Sequence, residues 1–251
     1  VRQGANQKVG EPLSRKTKQN IHALLSAAFV TALDAETMHR NPAKGVAEAD
    51  LNEAREAVYL SPEDLVMLAE RIDPHYSLFI RFLGGTGLRY SEATALRRRD
   101  IVIRDGRAAV RVSRAWKSKG KGEEIGPPKT KKANRTVTCN ASLSAALADH
   151  LQQLGLDDFV FQRPDGDYVR NSRFHKEVWQ PLMAELLEDG SLDRKPWIHE
   201  IRHAHTTHLL DAGVPVHVVQ ARLGHEDPQT TLRVYARLAK ASDAAAADAL
   251  G

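Results

Sequence analysis

The stretch WIHEIRHAHTTHLL, residues 197 to 210, puts four imidazoles, a carboxylate and a guanidinium within fourteen positions. Two chemistries fit this density. In the first, His199 and His203 offer one helical turn of imidazole to a zinc ion and Glu200 acts as base. That site needs a third ligand. The extended form of the motif wants a glycine three residues after His203 and a histidine six after, where this chain has Thr206 and Leu209; only Glu226 is left as a distant carboxylate. In the second, His199 and Arg202 stand three apart on one helix face. A guanidinium fork matches two phosphate oxygens, and an imidazole can pass a proton beside it. His205 and His208 read as hydrogen-bonded core residues.

Other chemically capable residues are scattered. TGLRYSE places Arg89 at a glycine-loosened turn that enters a helix. ARLGHEDPQTTLRVY places His225 beside a turn glycine and Tyr235 ten residues later, on a helix that Asp227-Pro228 should cap. Taken singly, a tyrosine there is ordinarily packing and an arginine an ion pair. Between positions 114 and 135 lie Arg114, Lys117, Lys119, Lys121, Lys129, Lys131, Lys132 and Arg135, interrupted only by Glu123 and Glu124. On residue types alone this run reads as a solvated loop, and Arg97, Arg98 and Arg99 as a solvated helix end.

The elements that must position these groups follow from periodicity. Ile21, Leu24, Leu25, Ala28 and Phe29 recur at helical spacing from about Ser14, and Asn41-Pro42 closes that segment. Residues 43 to 60 read as a short helix and a linker. Ser61-Pro62-Glu63-Asp64 is a helix start with cap, proline and carboxylate in the right order, and a new domain begins near it. Helices are expected near 62–72 and 76–84, and from Tyr90 to Arg97. IVIRDGRAAVRV alternates about Asp105-Gly106, a hairpin signal; after a lysine-rich loop, NRTVTC supplies a third strand. From Ser142 the pattern is helical again, with Leu143, Leu147 and Leu151 on one face. The fold class is mainly α with a small three-stranded antiparallel sheet (α+β), divided into residues 1–56 and 57–251.

Composition narrows the classes. With 42% apolar and 27% charged residues and no long apolar run, the chain reads as globular and not membrane-embedded. One cysteine, Cys139, leaves no disulfide framework or cysteine zinc cluster and suits a reducing cytosol. Net charge is +4 with clustered basic residues, which favours a polyanionic partner. The first residue is Val1 where a native start has Met, and reads as an excised fragment.

In their order and spacing, TGLRYSE, PPKTKKANRTV, HEIRH, LGHED and Tyr235 together resemble the tyrosine recombinase family, particularly phage integrases, over about residues 62 to 240. The resemblance implies Arg89 as the first catalytic arginine, Lys129 as the lysine beside the hairpin, His199 and Arg202 as the His-x-x-Arg pair, His225 as the next catalytic position and Tyr235 as nucleophile, with Tyr90 next in line. It implies that Arg114, Lys117, Lys119, Lys121, Lys131, Lys132 and Arg135 face DNA. Residues 14–46 are similar to the later helices of a core-binding domain. Expected partners are double-stranded attachment sites, further copies of the chain in a tetramer on DNA, and a host DNA-bending protein as accessory, all in a bacterial cytosol. No metal or other cofactor is called for. A type IB topoisomerase would use the same residues, and a catalytically silent DNA-binding module and the zinc hydrolase are the remaining alternatives.

Overall fold

A computed structural model of the chain describes residues 13, 15–45, 58–120, 122–127, 134–224, 229 and 231–232. The chain divides into two compact units, Val1–Glu56 and Ala57–Gly251.

In the first unit the helical spacing of the apolar residues yields α1 (Arg15–Asp34). The helix stops well before Asn41-Pro42. Glu36 takes a left-handed conformation (φ 54°), its N–H bonds to the Leu33 carbonyl, and the Thr37 N–H bonds to the Ala32 carbonyl. These bonds satisfy the last helical carbonyls, the task a glycine usually performs, so no glycine marks the stop. Asn41 then donates to the carbonyl and hydroxyl of Ser26, which folds the 41–45 turn onto the helix. Ile21, Leu24 and Leu25 of the expected apolar face are exposed. Most of the helix and linker expected over 43–60 lies outside the described residues.

The second unit opens with α2 (Pro62–Arg71). The Ser61 hydroxyl accepts from the Asp64 N–H at 3.1 Å, and the Asp64 carboxylate accepts from the Ser61 N–H at 2.8 Å. This reciprocal cap satisfies two donors that the first turn would leave orphaned. Next, α3 (Pro74–Thr86) runs through the core, with Phe79, Ile80, Phe82 and Leu83 no more than 3% exposed. The helix expected from Tyr90 to Arg97 lasts one turn, α4 (Tyr90–Ala93). Beyond it, the N–H groups of Ala95 and Leu96 bond only three residues back. The Leu96 carbonyl and the Arg98 and Arg99 amides then pair with residues 156–160, which draws the chain out of helix. Tertiary pairing overrides a weak local preference here.

After a 3-10 turn at Arg98–Asp100 come β1 (Ile101–Arg104) and β2 (Arg107–Val112), joined through Asp105 (φ 50°) and Gly106 (φ 70°). Two left-handed residues are what a tight hairpin of this hand requires. The expected third strand, here β5 (Arg135–Thr138), pairs with β2 to complete a sheet of order β1-β2-β5. Between them, the segment read as a loop holds a second hairpin, β3 (Ala115–Lys119) and β4 (Gly122–Gly126). Its sequence lacks alternation because one large apolar side chain holds it: Trp116 stacks on Tyr168 at 3.8 Å and donates to the Thr94 carbonyl. The Tyr168 hydroxyl in turn donates to Glu123.

Helix α5 (Ala141–Leu151) lays Leu143, Leu147 and Leu151 into the core and covers β2. Helices α6 (Asn171–Phe174) and α7 (Gln180–Glu188) are joined by a π-helical turn at His175–Trp179. Two helices remain, α8 (Glu200–Asp211), packed on α3, and α9 (Val216–Leu223), which touches α8 and β5. Among the described residues no helix is long and apolar enough to cross a membrane.

The turn after α3 is tightly constrained, since Gly87 is left-handed (φ 64°) and a Cβ there would sit 2.9 Å from Leu223 Cδ2 and inside contact distance of the His205 ring. Gly87→Ala is expected to cost at least about 2 kcal/mol in urea unfolding, from left-handed strain plus overpacking. A loss below about 0.5 kcal/mol, no more than an ordinary surface substitution, would show that the turn relaxes freely.

Candidate active site

Three arginines from distant parts of the chain converge on one carboxylate, Glu92, which is 1% exposed. Arg89, the residue that caps α4, donates its backbone N–H to Glu92 Oε2 at 2.9 Å and its Nη1 to Oε1 at 2.8 Å. From β5, Arg135 donates Nη1 to Oε1 at 3.2 Å and Nη2 to Oε2 at 3.0 Å. From α8, Arg202 brings Nη1 to 3.9 Å of Oε2. Burial by itself would raise the Glu92 carboxyl, but the hydrogen bonds and charge of Arg135 and the charge of Arg89 outweigh it and hold the group below its ordinary value. Three cations around one anion leave the cluster with net positive charge.

Helix ends supply the other half of the scaffold. Both α3 and α9 end in left-handed glycines, Gly87 and Gly224. Their last carbonyls have no intrahelical partner. The fork of Arg202 takes one from each, donating to the Gly87 carbonyl at 2.6 Å and to the Leu223 carbonyl at 2.9 Å. Arg135 Nε donates to the Arg222 carbonyl at 2.6 Å. Arg222 itself donates to the carbonyls of Gly85 and Thr138 and to Nε2 of His205, whose Nδ1 meets the Gly84 carbonyl at 2.7 Å. Accepting at Nε2 makes His205 the Nδ1-protonated, neutral tautomer. Burial, then the charge of Arg222, pushes its pKa down to about 3. Arg202, 4% exposed, is pushed down to about 9 by burial and by Arg89, against the pull of Glu92, and stays cationic at neutral pH.

His199 stands at the start of α8, its ring 4.8 Å from that of His203. Desolvation, then His203, Arg202 and Arg89, pushes its imidazole down to about 4, although the residue keeps an exposed surface. It is therefore neutral at pH 7 and able both to donate and to accept. An anion placed among these cations would oppose the charge part of that shift. The arrangement suits a phosphate: Arg89 is 38% exposed, Arg202 is buried on the same carboxylate, and His199 lies within the electrostatic reach of both.

The glutamate of the HExxH match has another task. Its two carboxylate oxygens accept the backbone N–H groups of Val58 and Trp197, so Glu200 ties the start of α8 to the segment before α2. Among the described residues no three metal-ligating side chains come together. Tyr90 is no free nucleophile, because its hydroxyl donates to the Val169 carbonyl and burial raises its pKa well above the ordinary value. His205 and His208, read as hydrogen-bonded core residues, are both hydrogen-bonded, His205 buried on the Gly84 carbonyl and His208 half-buried on the Leu60 carbonyl.

The structure thus brings Arg89, His199 and Arg202 together. Lys129, His225 and Tyr235, the cap at Asp227-Pro228, and Lys121, Lys131 and Lys132 of the basic run lie outside the described residues. Of the rest of that run, Lys119 is exposed and paired with Glu124 across the hairpin, Lys117 is on β3, and Arg114 is held by Asp100 at 3.0 Å. Arg135, expected on a surface loop, points inward and is 6% exposed. Arg97, Arg98 and Arg99 are tied to Asp157 and Leu151. Sequence reasoning missed Glu92, whose one signal is its place three residues after a helix-capping residue, and Arg222, which has none.

A model of the phage integrase family matches residues 59–242. The chain is 28% identical to the integrase of Mycobacterium phage L5 over 95% of its own length and 62% of that protein's. It is 28% identical to the ICEBs1 integrase of Bacillus subtilis, over 90% of this chain and 62% of that one. The chain therefore spans less than two thirds of these curated relatives. Among solved structures it resembles the Tn1549 transposon integrase in complex with transposon right end DNA, with a TM-score of 0.79, 25% identity, and coverage of 94% of this chain and 79% of that one. A lambda integrase dimer bound to a core site shares the fold at a TM-score of 0.61 and 16% identity, over 91% of this chain and 61% of that one.

The His205 pKa of about 3, against about 6.5 when unfolded, carries a stability consequence. Between those values the unfolded chain binds the proton and the folded one does not, so stability falls as pH drops through this window. From pH 7 to pH 5, His205 should contribute a loss of about 2 kcal/mol. In urea titrations His205→Gln, which cannot titrate, should lose correspondingly less over the same interval. Equal losses in the two proteins would contradict the neutral, buried assignment.

Proposed function

Since the chain belongs to the phage integrase family, we propose that it cleaves and rejoins DNA strands at specific sites through a covalent 3′-phosphotyrosine intermediate. The convergence of Arg89 and Arg202 on one carboxylate, beside a neutral His199, is the observation that carries this reading.

The chemistry follows from the groups. Tyr235 is the nucleophile, but a free tyrosine near pKa 10 is ionised in only about one molecule in a thousand at pH 7, so the attack must be assisted. Arg89 and Arg202 hold the two non-bridging oxygens of the scissile phosphate and stabilise the charge that builds up at five-coordinate phosphorus. The phenol oxygen forms the new P–O bond as its proton passes to a base, His225 or His199; the 5′-oxygen leaves with the bond pair and takes a proton from Lys129. One phosphodiester replaces another, so a 5′-hydroxyl from a second strand can reverse the step. Every task in this sequence is met by a side chain, with no metal or nucleotide called on.

The family reading extends to partners. Residues 1–56 form part of a core-binding domain and 57–251 the catalytic domain. The substrates are double-stranded attachment sites, gripped in part by Lys117, Lys119, Lys121, Lys131 and Lys132. Four copies assemble on paired duplexes, with a host DNA-bending protein as accessory, in the bacterial cytosol. The Tn1549 and lambda integrases, both solved in complex with DNA, support the choice of substrate.

Tyr235→Phe removes only the hydroxyl. Incubated with a nicked duplex from a candidate attachment site, the parent should yield a DNA-linked species on a denaturing gel, and Tyr235→Phe should bind the duplex equally and yield none. An adduct that persists in the variant would place the nucleophile elsewhere.

A further inference from the structure

Arg135 is a basic residue that is too deeply placed to touch DNA. Its side chain is 6% exposed, and it leaves β5 inward. The two ends of its fork lie on the two oxygens of Glu92, and its Nε holds the carbonyl of Arg222 in the last turn of α9. Glu92 gives the other two arginines fewer side-chain bonds. Arg89 makes one side-chain bond to it and is 38% exposed, while Arg202 stands at 3.9 Å with its fork on backbone carbonyls.

This asymmetry has a mechanical meaning. A carboxylate with no dedicated partner would bind the same two guanidiniums that an incoming phosphate needs. We propose that Arg135 is a positioning residue that neutralises Glu92, so that Arg89 and Arg202 are oriented by the carboxylate yet remain available to the scissile phosphate. Through Arg222 the same side chain sets the end of α9, from which the chain runs through Gly224 to His225. Arg135 acts through its neighbours and touches no substrate atom. The role rests on the recombinase reading above.

Four proteins test it in single-turnover cleavage of a nicked duplex: the parent, Arg135→Met, Glu92→Gln and the double variant. Arg135→Met should slow cleavage at saturating DNA by about tenfold or more while the half-saturating DNA concentration stays within about twofold. A phosphate-contacting arginine would show the opposite split. Adding Glu92→Gln removes the competing carboxylate, so the double variant should cleave faster than Arg135→Met alone, a coupling of a sign that loss of packing would not produce. If Arg135→Met proves unfolded by circular dichroism, the double variant carries the test, because it also removes the buried carboxylate that Arg135→Met leaves without its main partner. Cleavage within about a hundredfold of the parent then supports the role. A folded double variant without detectable adduct, additive effects of the two substitutions, or a change confined to half-saturation would overturn it. A parent that forms no adduct fails the recombinase reading itself, and a parent that cleaves while Arg135→Met matches it fails only the role of Arg135.

Discussion

A carboxylate at 1% exposure cannot remain ionised unless cations reach it, and most of the site's geometry follows from meeting that demand at Glu92. Breaking one partner from such a pair typically costs about 3–5 kcal/mol. The chain must therefore bring β5 and α8 up to α4, because Arg135 and Arg202 are carried by those elements. Residues that are 43 and 110 positions apart from Glu92 in sequence become neighbours for an electrostatic reason, and apolar packing of α3 against α5 and α8 holds the frame in which they meet.

The second constraint concerns backbone. Two helices end in left-handed glycines inside the protein, where their last carbonyls have lost water. Arg202, Arg135 and Arg222 satisfy them. Each guanidinium thus meets a structural need, and those of Arg202 and Arg135 also bring their charge to Glu92. That double use makes the positive cluster rigid before any substrate arrives, so little reorganisation is left for the moment of reaction. The same arginines reinforce the neutrality of His199 and His205, which burial imposes first and the field of the guanidiniums then deepens.

Much of the scaffold was legible in the sequence because it is encoded locally. The Ser61 to Asp64 cap, the Asp105-Gly106 hairpin and the Leu143, Leu147, Leu151 face each follow from a few adjacent residues. So does the placement of His199 and Arg202 on one turn, and the order of motifs was enough to suggest the family. What escaped is non-local. The one-turn length of α4 depends on pairing with residues 156–160, and the β3–β4 hairpin depends on Tyr168 meeting Trp116. Arg135 sits in a run of lysines and reads as one more surface charge; only the folded chain shows it turned inward to Glu92. The HExxH match misleads for the complementary reason, since a four-residue spacing says nothing of the two amides that occupy Glu200.

The central claim, that one carboxylate organises two guanidiniums into a phosphate site, is tested most directly by a crystal structure of the Tyr235→Phe variant bound to an intact attachment-site duplex. The account predicts the non-bridging oxygens of the scissile phosphate within hydrogen-bond distance of Arg89 and Arg202, with His199 alongside and Arg135 still forked on Glu92. A phosphate held away from Arg89 and Arg202, or an Arg135 swung off Glu92 onto the DNA, would contradict it.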